Sequence, residues 1–414
     1  MNEKISTPPV ETSQEKASLA ETSQSTANRA LLFVSLAVFF ATFIWFSGTA
    51  AIPQLKHIWN LSDSESVWLT IAVQLGFIVG TFFYAASNIA DRFNARRVFF
   101  VSTLLGAAFN ACFAWLSDGI MSAILFRFFT GVTLAGVYPV GMKIVASWFQ
   151  SGLGWRLGVL VGSLTFGKAS PYLIEMLVTS PDWRVKASSA SIASLVGGAL
   201  VIVLLGDGPY LRGRALFDPA MLVKVFKHRP FRYTAFGYFG HMWELYAYWT
   251  LISFYLSARF ESSYSSWAKW VPLLSFLAIG AGVVGCLGGG WLSRRFGERK
   301  VALVSLVVSA TCCAVSGFAF DLPPLLLMLF VLVWGVFVIS DSPQFSSLAA
   351  RLCPPAYTGT ALTTQNGIGF AVTVFSIQLL PLVASAVEWR WAFTFLTIGP
   401  IFGAYFMFRL DEKG

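Results

Sequence analysis

Charge is scarce in this chain of 414 residues: Asp, Glu, Lys and Arg together make up 12% of it, about half the share of a soluble domain. That scarcity excludes a soluble globular protein. With 56% hydrophobic residues and a mean hydropathy of +0.68, the chain carries more apolar surface than one core can hide. A bilayer leaves outward-facing Leu, Val and Phe unpenalised. Cysteine is sparse too, and its five copies show neither a disulfide framework nor a metal-ligand spacing. Cys112, Cys286, Cys312 and Cys313 fall in apolar runs and Cys353 in a loop, so they read as small core hydrophobes. No cofactor or metal motif is present, and no enzymatic activity is expected. The fifth apolar run has spaced glycines from Gly158 to Pro171 and no Gly-Pro pair.

What charge there is leans basic, with a net +9 and a pI near 9.4. The cations lie in short loops between apolar runs. They are a topology signal, because no basic stripe interleaves with an aromatic platform for nucleic acid.

Residues 1–28 are rich in Ser, Thr, Gln and Glu and read as a disordered cytoplasmic tail. The apolar run that follows starts too late, behind Glu3, Glu11, Glu15 and Glu21, to be a signal peptide, so a retained helix is expected. Twelve apolar runs succeed one another, each near the ~20 residues that span hydrocarbon. They are Ala30–Ala51, Val67–Ala90, Val98–Leu116, Ile120–Met142, Trp155–Leu177, Ala187–Leu205, Tyr233–Leu256, Trp267–Leu292, Val301–Phe320, Leu325–Ser347, Gly359–Val383 and Trp391–Phe408. An all-α polytopic membrane protein is predicted. Most of the 29 Lys and Arg residues fall in both tails and one set of alternate loops, which predicts that this side, with both termini, is cytoplasmic. A linker at 206–230 separates a six-helix bundle at 29–205 from a second at 231–409, and 410–414 form a short cytoplasmic tail.

The two halves look like copies. Asp91-Arg92-Phe93-Asn94-Ala95-Arg96-Arg97 follows the second span and Arg294-Arg295-Phe296-Gly297-Glu298-Arg299-Lys300 the eighth. Asp182-Trp183-Arg184 precedes the sixth and Glu388-Trp389-Arg390 the twelfth, while Gly131 and Pro139 match Gly335 and Pro343. All three matches share an offset of about 200 residues, the mark of an internal duplication. Parallel six-helix repeats around a midplane cavity are a transporter architecture.

The loop after the second span resembles the first signature of the major facilitator superfamily (MFS), Gly-x-x-x-Asp-Arg-x-Gly-Arg-Arg. Ser87 replaces the first Gly, Asp91, Arg92, Arg96 and Arg97 match, and Asn94 replaces the second Gly, with the left-handed backbone that Asn tolerates. The second copy has Gly290 and Gly297 but Arg294 in place of Asp, and Arg127-Phe128-Phe129-Thr130-Gly131 is similar to the family's Arg-x-x-x-Gly pattern. The resemblance covers 29–409. It implies the MFS fold and alternating access, with spans 1, 4, 7 and 10 around the cavity, 2, 5, 8 and 11 at the seam, and 3, 6, 9 and 12 facing lipid. It also implies a cytoplasmic gate of Asp91, Arg92, Arg96, Arg97, Arg294, Arg295 and Arg299.

Charges deep in a bilayer are costly and mark function. Five stand away from span ends: Arg127, Lys168, His241, Glu244 and Asp341. None falls on a span that the resemblance turns to lipid. Lys168 needs a counterion, either a substrate anion or Glu244 or Asp341. His241 and Glu244 are three apart, so they share a helix face, continued by Tyr248, and can relay a proton. Asp341 is either a coupling carboxylate or a gate latch, and the resemblance implies that Arg127 is a coupling or network residue. Trp45, Trp243 and Trp249 are candidates for stacking on a substrate.

The reading is a monomeric secondary transporter in the plasma (bacterial inner) membrane. It is expected to couple protons to a small solute, with a small anion favoured by Lys168 and Arg127. Efflux of hydrophobic or cationic drugs is the alternative, and a membrane-embedded receptor or an enzyme built on His241 and Glu244 are alternatives from other classes.

Overall fold

The fold is that of a computed structural model, which describes residues 13–87, 89–149, 153–178, 182–210, 222–353 and 358–411. Hydrocarbon offers no water to backbone N–H and C=O groups, so each apolar run must satisfy them internally as a helix. The membrane helices are α1 (Gln24–Trp59), α2 (Asp63–Ala86), α3 (Ala95–Leu116), α4 (Ile120–Trp148), α5 (Trp155–Leu177), α6 (Trp183–Leu204), α7 (Arg229–Ser263), α8 (Val271–Phe296), α9 (Glu298–Ala319), α10 (Pro324–Leu352), α11 (358–387) and α12 (389–409).

Among the described residues, ten helices are apolar enough to cross a membrane by length and composition. The tenth of these, Ala361–Arg409, holds both α11 and α12. Glu388 breaks it with a left-handed φ of 64° and turns the chain back. The helix missing from that set is α7, whose hydropathy is lowered by Arg232, His241, Glu244 and five tyrosines. Twelve spans result, as expected.

The first helix extends back to Ser13. Residues 13–28, expected within a disordered tail, are therefore helical. Ala, Glu, Lys and Gln are good helix formers, and a membrane helix supplies the nucleus that an isolated peptide lacks. Residues 1–12 of that tail, 211–221 of the linker and 412–414 lie outside the described residues.

Caps fix the entries of α2 and α3. Ser62 and Glu65 form a reciprocal capping box, with Ser62 N–H donating to Glu65 Oε2 at 2.8 Å. Asn94 corrects an expectation. Its backbone is extended (φ −60°, ψ 124°), and its Oδ1 accepts the N–H groups of Arg96 at 3.0 Å and Arg97 at 3.4 Å. A side-chain acceptor makes the extended N-cap the better state. Gly297, at the matching place in the second copy, has no acceptor and takes φ 86°.

Three cavity helices are broken where proline approaches. The helix of α4 stops at Leu134 and resumes at Tyr138, beside Pro139, and α10 stops at Ser340 and resumes at Ser342, beside Pro343. α1 is interrupted at Thr42 and again at Ala51, beside Pro53. At Ala51, in α4 and in α10 proline withholds the N–H that the preceding turn needs, whereas at Thr42 no proline is near and the hydroxyl donates to the Val38 and Phe39 carbonyls.

The six-helix halves meet along α5 with α8 and along α2 with α11. Exposed apolar side chains such as Leu105, Val203, Phe318 and Phe408 lie on α3, α6, α9 and α12. Only a bilayer tolerates that much outward apolar surface. Below, the end of the bundle where α1 begins and α6 and α12 end is the linker face, and the other is the distal face.

Candidate functional site

The site begins with two stripes on α7. Tyr238, Met242, Leu245, Tyr246 and Trp249, spaced as i, i+4, i+7, i+8 and i+11, line a cavity between the halves. His241, Glu244 and Tyr248 turn the other way, into the second half. Tyr248 Oη donates to the Val331 carbonyl at 2.9 Å and its ring packs on Trp334.

Lys168 enters the cavity from α5. A Cβ on Gly167 would come within 2.2 Å of the Phe39 carbonyl oxygen, so only glycine lets α5 pack this tightly on α1. That approach puts Lys168 beside Trp45. The Lys168 side chain is 1% exposed. Its Nζ stands 3.6 Å from the Trp45 ring centroid, 4.6 Å from that of Tyr246 and 5.3 Å from that of Trp249, and it donates to Tyr246 Oη. Among the described residues no carboxylate pairs with it. The ammonium is held by ring faces and a phenol, and the cage takes Trp45 from the first half and Tyr246 and Trp249 from the second.

The cavity has a volume of about 60 Å³, room for a few water molecules. Its wall next to the cage is aromatic, with Phe77 and Phe370 4.5 Å apart and both against Trp45. On the distal side a separate vestibule of about 760 Å³ opens, lined by Lys56, Glu175, Glu261 and Trp389 among others. Trp249 and Tyr172 stand between the two spaces, and Tyr172 Oη donates to the Trp249 carbonyl at 3.4 Å.

The other deep charges lie off the cavity. His241 Nδ1 is 2.9 Å from Asp341 Oδ1, joining α7 to α10, with both side chains at most 2% exposed. Tyr238 and Phe345 cover the imidazole. His241 thus pairs with Asp341, and Glu244 stands apart from it. Glu244 Oε1 accepts three donors, Ser309 Oγ at 2.6 Å, Trp334 Nε1 at 2.6 Å and Cys313 Sγ at 3.2 Å. Its place is a knot of α7, α9 and α10. Arg127 is its counterpart in the first half. It donates to the carbonyls of Ile44 (2.7 Å), Leu69 (3.3 Å) and Trp45, and to Asn110 Oδ1 at 3.1 Å. Asn110 in turn donates to the Ala187 carbonyl at 2.9 Å, so one guanidinium ties five helices.

The basic loops divide in the same spirit. Arg96 pairs with Asp207 at 2.8 Å and donates to the Leu205 carbonyl, and its hydrogen bonds hold the Asp207 carboxyl below the usual carboxylate range. Arg299 donates to the carbonyls of Met407 at 2.8 Å and Phe408 at 2.6 Å. The two arginines occupy matching positions and cap the ends of α6 and α12 within their own halves. Arg294 reaches across the seam, 5.3 Å from the Trp155 ring. Arg92 and Arg295 lie over Phe93 and Phe296, Arg97 is exposed, and the Asp91 side chain lies outside the described ones.

Of the candidate stacking residues, Trp45 and Trp249 line the cavity, whereas Trp243 packs on Phe395. Tyr246 was not among the expected residues. The stripe it shares with Tyr238, Met242 and Trp249 was the signal available for it.

Comparison with known proteins gives three results. The sequence model of the Major Facilitator Superfamily matches residues 34–376 and 234–414. The chain is similar to the niacin transporter NiaP of Acinetobacter baylyi, at 24% identity over 67% of this chain and 68% of that protein. It is likewise similar to the 4-hydroxybenzoate transporter PcaK of the same organism, at 21% identity over 88% of this chain and 86% of that one. Among solved structures, the proton:xylose symporter XylE superposes with a TM-score of 0.70 at 14% identity, covering 94% of this chain and 96% of that one. At that identity the likeness concerns the fold.

Proposed function

The chain belongs to the major facilitator superfamily, and we propose that it is a secondary transporter that carries a small organic anion by alternating access, with Lys168 as the charge that receives it. The observation behind this reading is the state of Lys168. A lysine kept for architecture would bring its own carboxylate, since a lone charge in this environment is expensive. Here the ammonium has ring faces instead, worth about 0.5–2 kcal/mol each, and that leaves it open to a full negative charge. Niacin and 4-hydroxybenzoate, named for two relatives, are both carboxylates on a planar ring, which supports the same reading.

Proton coupling rests on the buried His241–Asp341 pair. Imidazole and carboxylate at that separation exchange a proton readily, and the pair bridges α7 to the broken segment of α10. The linker face is cytoplasmic in this reading, because the basic loops are there. The distal vestibule is then the external entrance of a monomeric carrier in the plasma membrane.

Proteoliposomes test this. An acid-outside gradient should drive accumulation of labelled niacin or 4-hydroxybenzoate, and a protonophore should collapse it. No uptake of any small carboxylate, together with raised tolerance of expressing cells to cationic drugs, overturns the anion reading in favour of efflux.

A further inference from the structure

We infer that the cavity reads both ends of its ligand: Lys168 takes a carboxylate, and Thr81 with Asn366 takes a hydrogen-bonding group at the opposite end of a planar ring. This rests on the anion reading above and adds a selectivity rule to it.

The polar groups of the cavity lie at two levels. Lys168 is at the level of Trp45 and Tyr246. Next comes the Phe77–Phe370 pair, 4.5 Å between ring centroids. Thr81 is four residues beyond Phe77 on α2, which runs toward the linker face. Asn366 is four residues before Phe370 on α11, which runs away from it. Both are therefore one turn, about 5.4 Å, further toward the linker face. Both line the cavity.

Thr81 is the informative member. A threonine inside a helix ordinarily returns its hydroxyl to the carbonyl four residues back. Thr42, Thr130 and Thr165 do so, at 2.8, 2.9 and 2.8 Å. The Thr81 Oγ1 is buried and has no hydrogen-bond partner among the described residues. A buried hydroxyl without a partner costs free energy that a ligand can recover. Asn366 adds an amide that donates or accepts at the same level. Between the two polar levels stand Trp45, Phe77, Tyr246 and Phe370, in mutual contact with centroids 4.5–6.0 Å apart, so a flat ring reaches both levels when these aromatic faces part as the halves rock, and it then stacks on them. The ligand class is then a planar ring acid with a hydroxyl or a ring nitrogen away from the carboxylate. An unsubstituted ring acid would strand Thr81.

Calorimetric titration of the purified full-length protein with benzoate, 4-hydroxybenzoate and nicotinate tests this. The unsubstituted acid should bind roughly 10-fold or more weakly than the better of the other two, as sites built for a hydroxyl or nitrogen discriminate. Thr81→Val, which keeps shape and removes the hydroxyl, and Asn366→Leu should bring that ratio toward one. Thr81→Ser should keep it. If all three acids bind wild-type protein equally and Lys168→Gln abolishes binding of each, the selectivity rule fails and the anion reading stands. A ratio that survives in both Thr81→Val and Asn366→Leu also overturns the rule. If none of the acids binds, or binding ignores Lys168→Gln, the anion reading falls and this inference with it.

Discussion

His241 and Asp341 face each other across α7 and α10 with Nδ1 2.9 Å from Oδ1, while Glu244, one turn from His241, is held by Ser309, Cys313 and Trp334. One helix thus carries a charge pair that joins two cavity helices and a carboxylate tied into its own half. The two make different predictions.

Asp341→Asn or His241→Gln should abolish proton-driven accumulation and spare substrate exchange, since exchange does not require the empty carrier to return. Counterflow and gradient-driven uptake in the same liposomes separate these. If the pair were only a bolt, each single change would strand a buried group and the double neutralisation would restore accumulation. Near-normal uptake by the double variant would therefore end the coupling role.

Glu244→Gln should weaken the fold and leave transport in place. Three donors converge on Oε1, and an amide cannot accept all of them in the same geometry. The loss is about 2 kcal/mol, read as a lower Tm, with the KM for uptake changed by less than roughly 3-fold. Loss of proton coupling with an unchanged Tm would contradict this placement.

Lys168→Ala should reduce uptake by roughly 100-fold or more, the loss expected when a buried charge partner is removed, while the protein still inserts and melts cooperatively. Lys168→Arg should recover only part, because a planar guanidinium does not fit the ring cage built around a compact ammonium. Wild-type transport in Lys168→Ala would remove the anion reading.

Acid should loosen the end of α6. Asp207 is held below the usual carboxylate range by Arg96, so the folded state binds fewer protons than the unfolded one. Its contribution is complete above a pH of about 4 and is lost as pH falls through the lowered folded value. Melting curves between pH ~3 and ~6 should show wild type and Asp207→Asn converging at the acid end. A difference that widens toward acid would reverse the assignment.

The spans, their number and the duplication were legible because hydropathy and loop charge are summed over many residues. Arg127, Lys168, His241, Glu244 and Asp341 were legible as individuals, because a buried charge is conspicuous in an apolar run. Their partners were not. His241 and Glu244 lie three apart, yet the wider rotation of α7 turns both away from the cavity, and which helix then meets each is a matter of packing. Asp341 is 100 residues from His241, and nothing in sequence spacing links them. Arg96 and Arg299 read as gate charges, but the open carbonyls at the ends of α6 and α12 that bind them are features of folded backbone. Asn94 was misjudged because cap geometry depends on where its side chain points.

The ammonium 3.6 Å from the Trp45 ring gives the protein an optical indicator of its own. A positive charge lying against an indole shifts the energy of its excited state and so its emission. A substrate that draws Lys168 off that ring changes the colour of the light Trp45 returns. If Lys168 receives the substrate as proposed, loading shifts the emission of Trp45, one of 15 tryptophans, and the shift should vanish in Trp45→Phe.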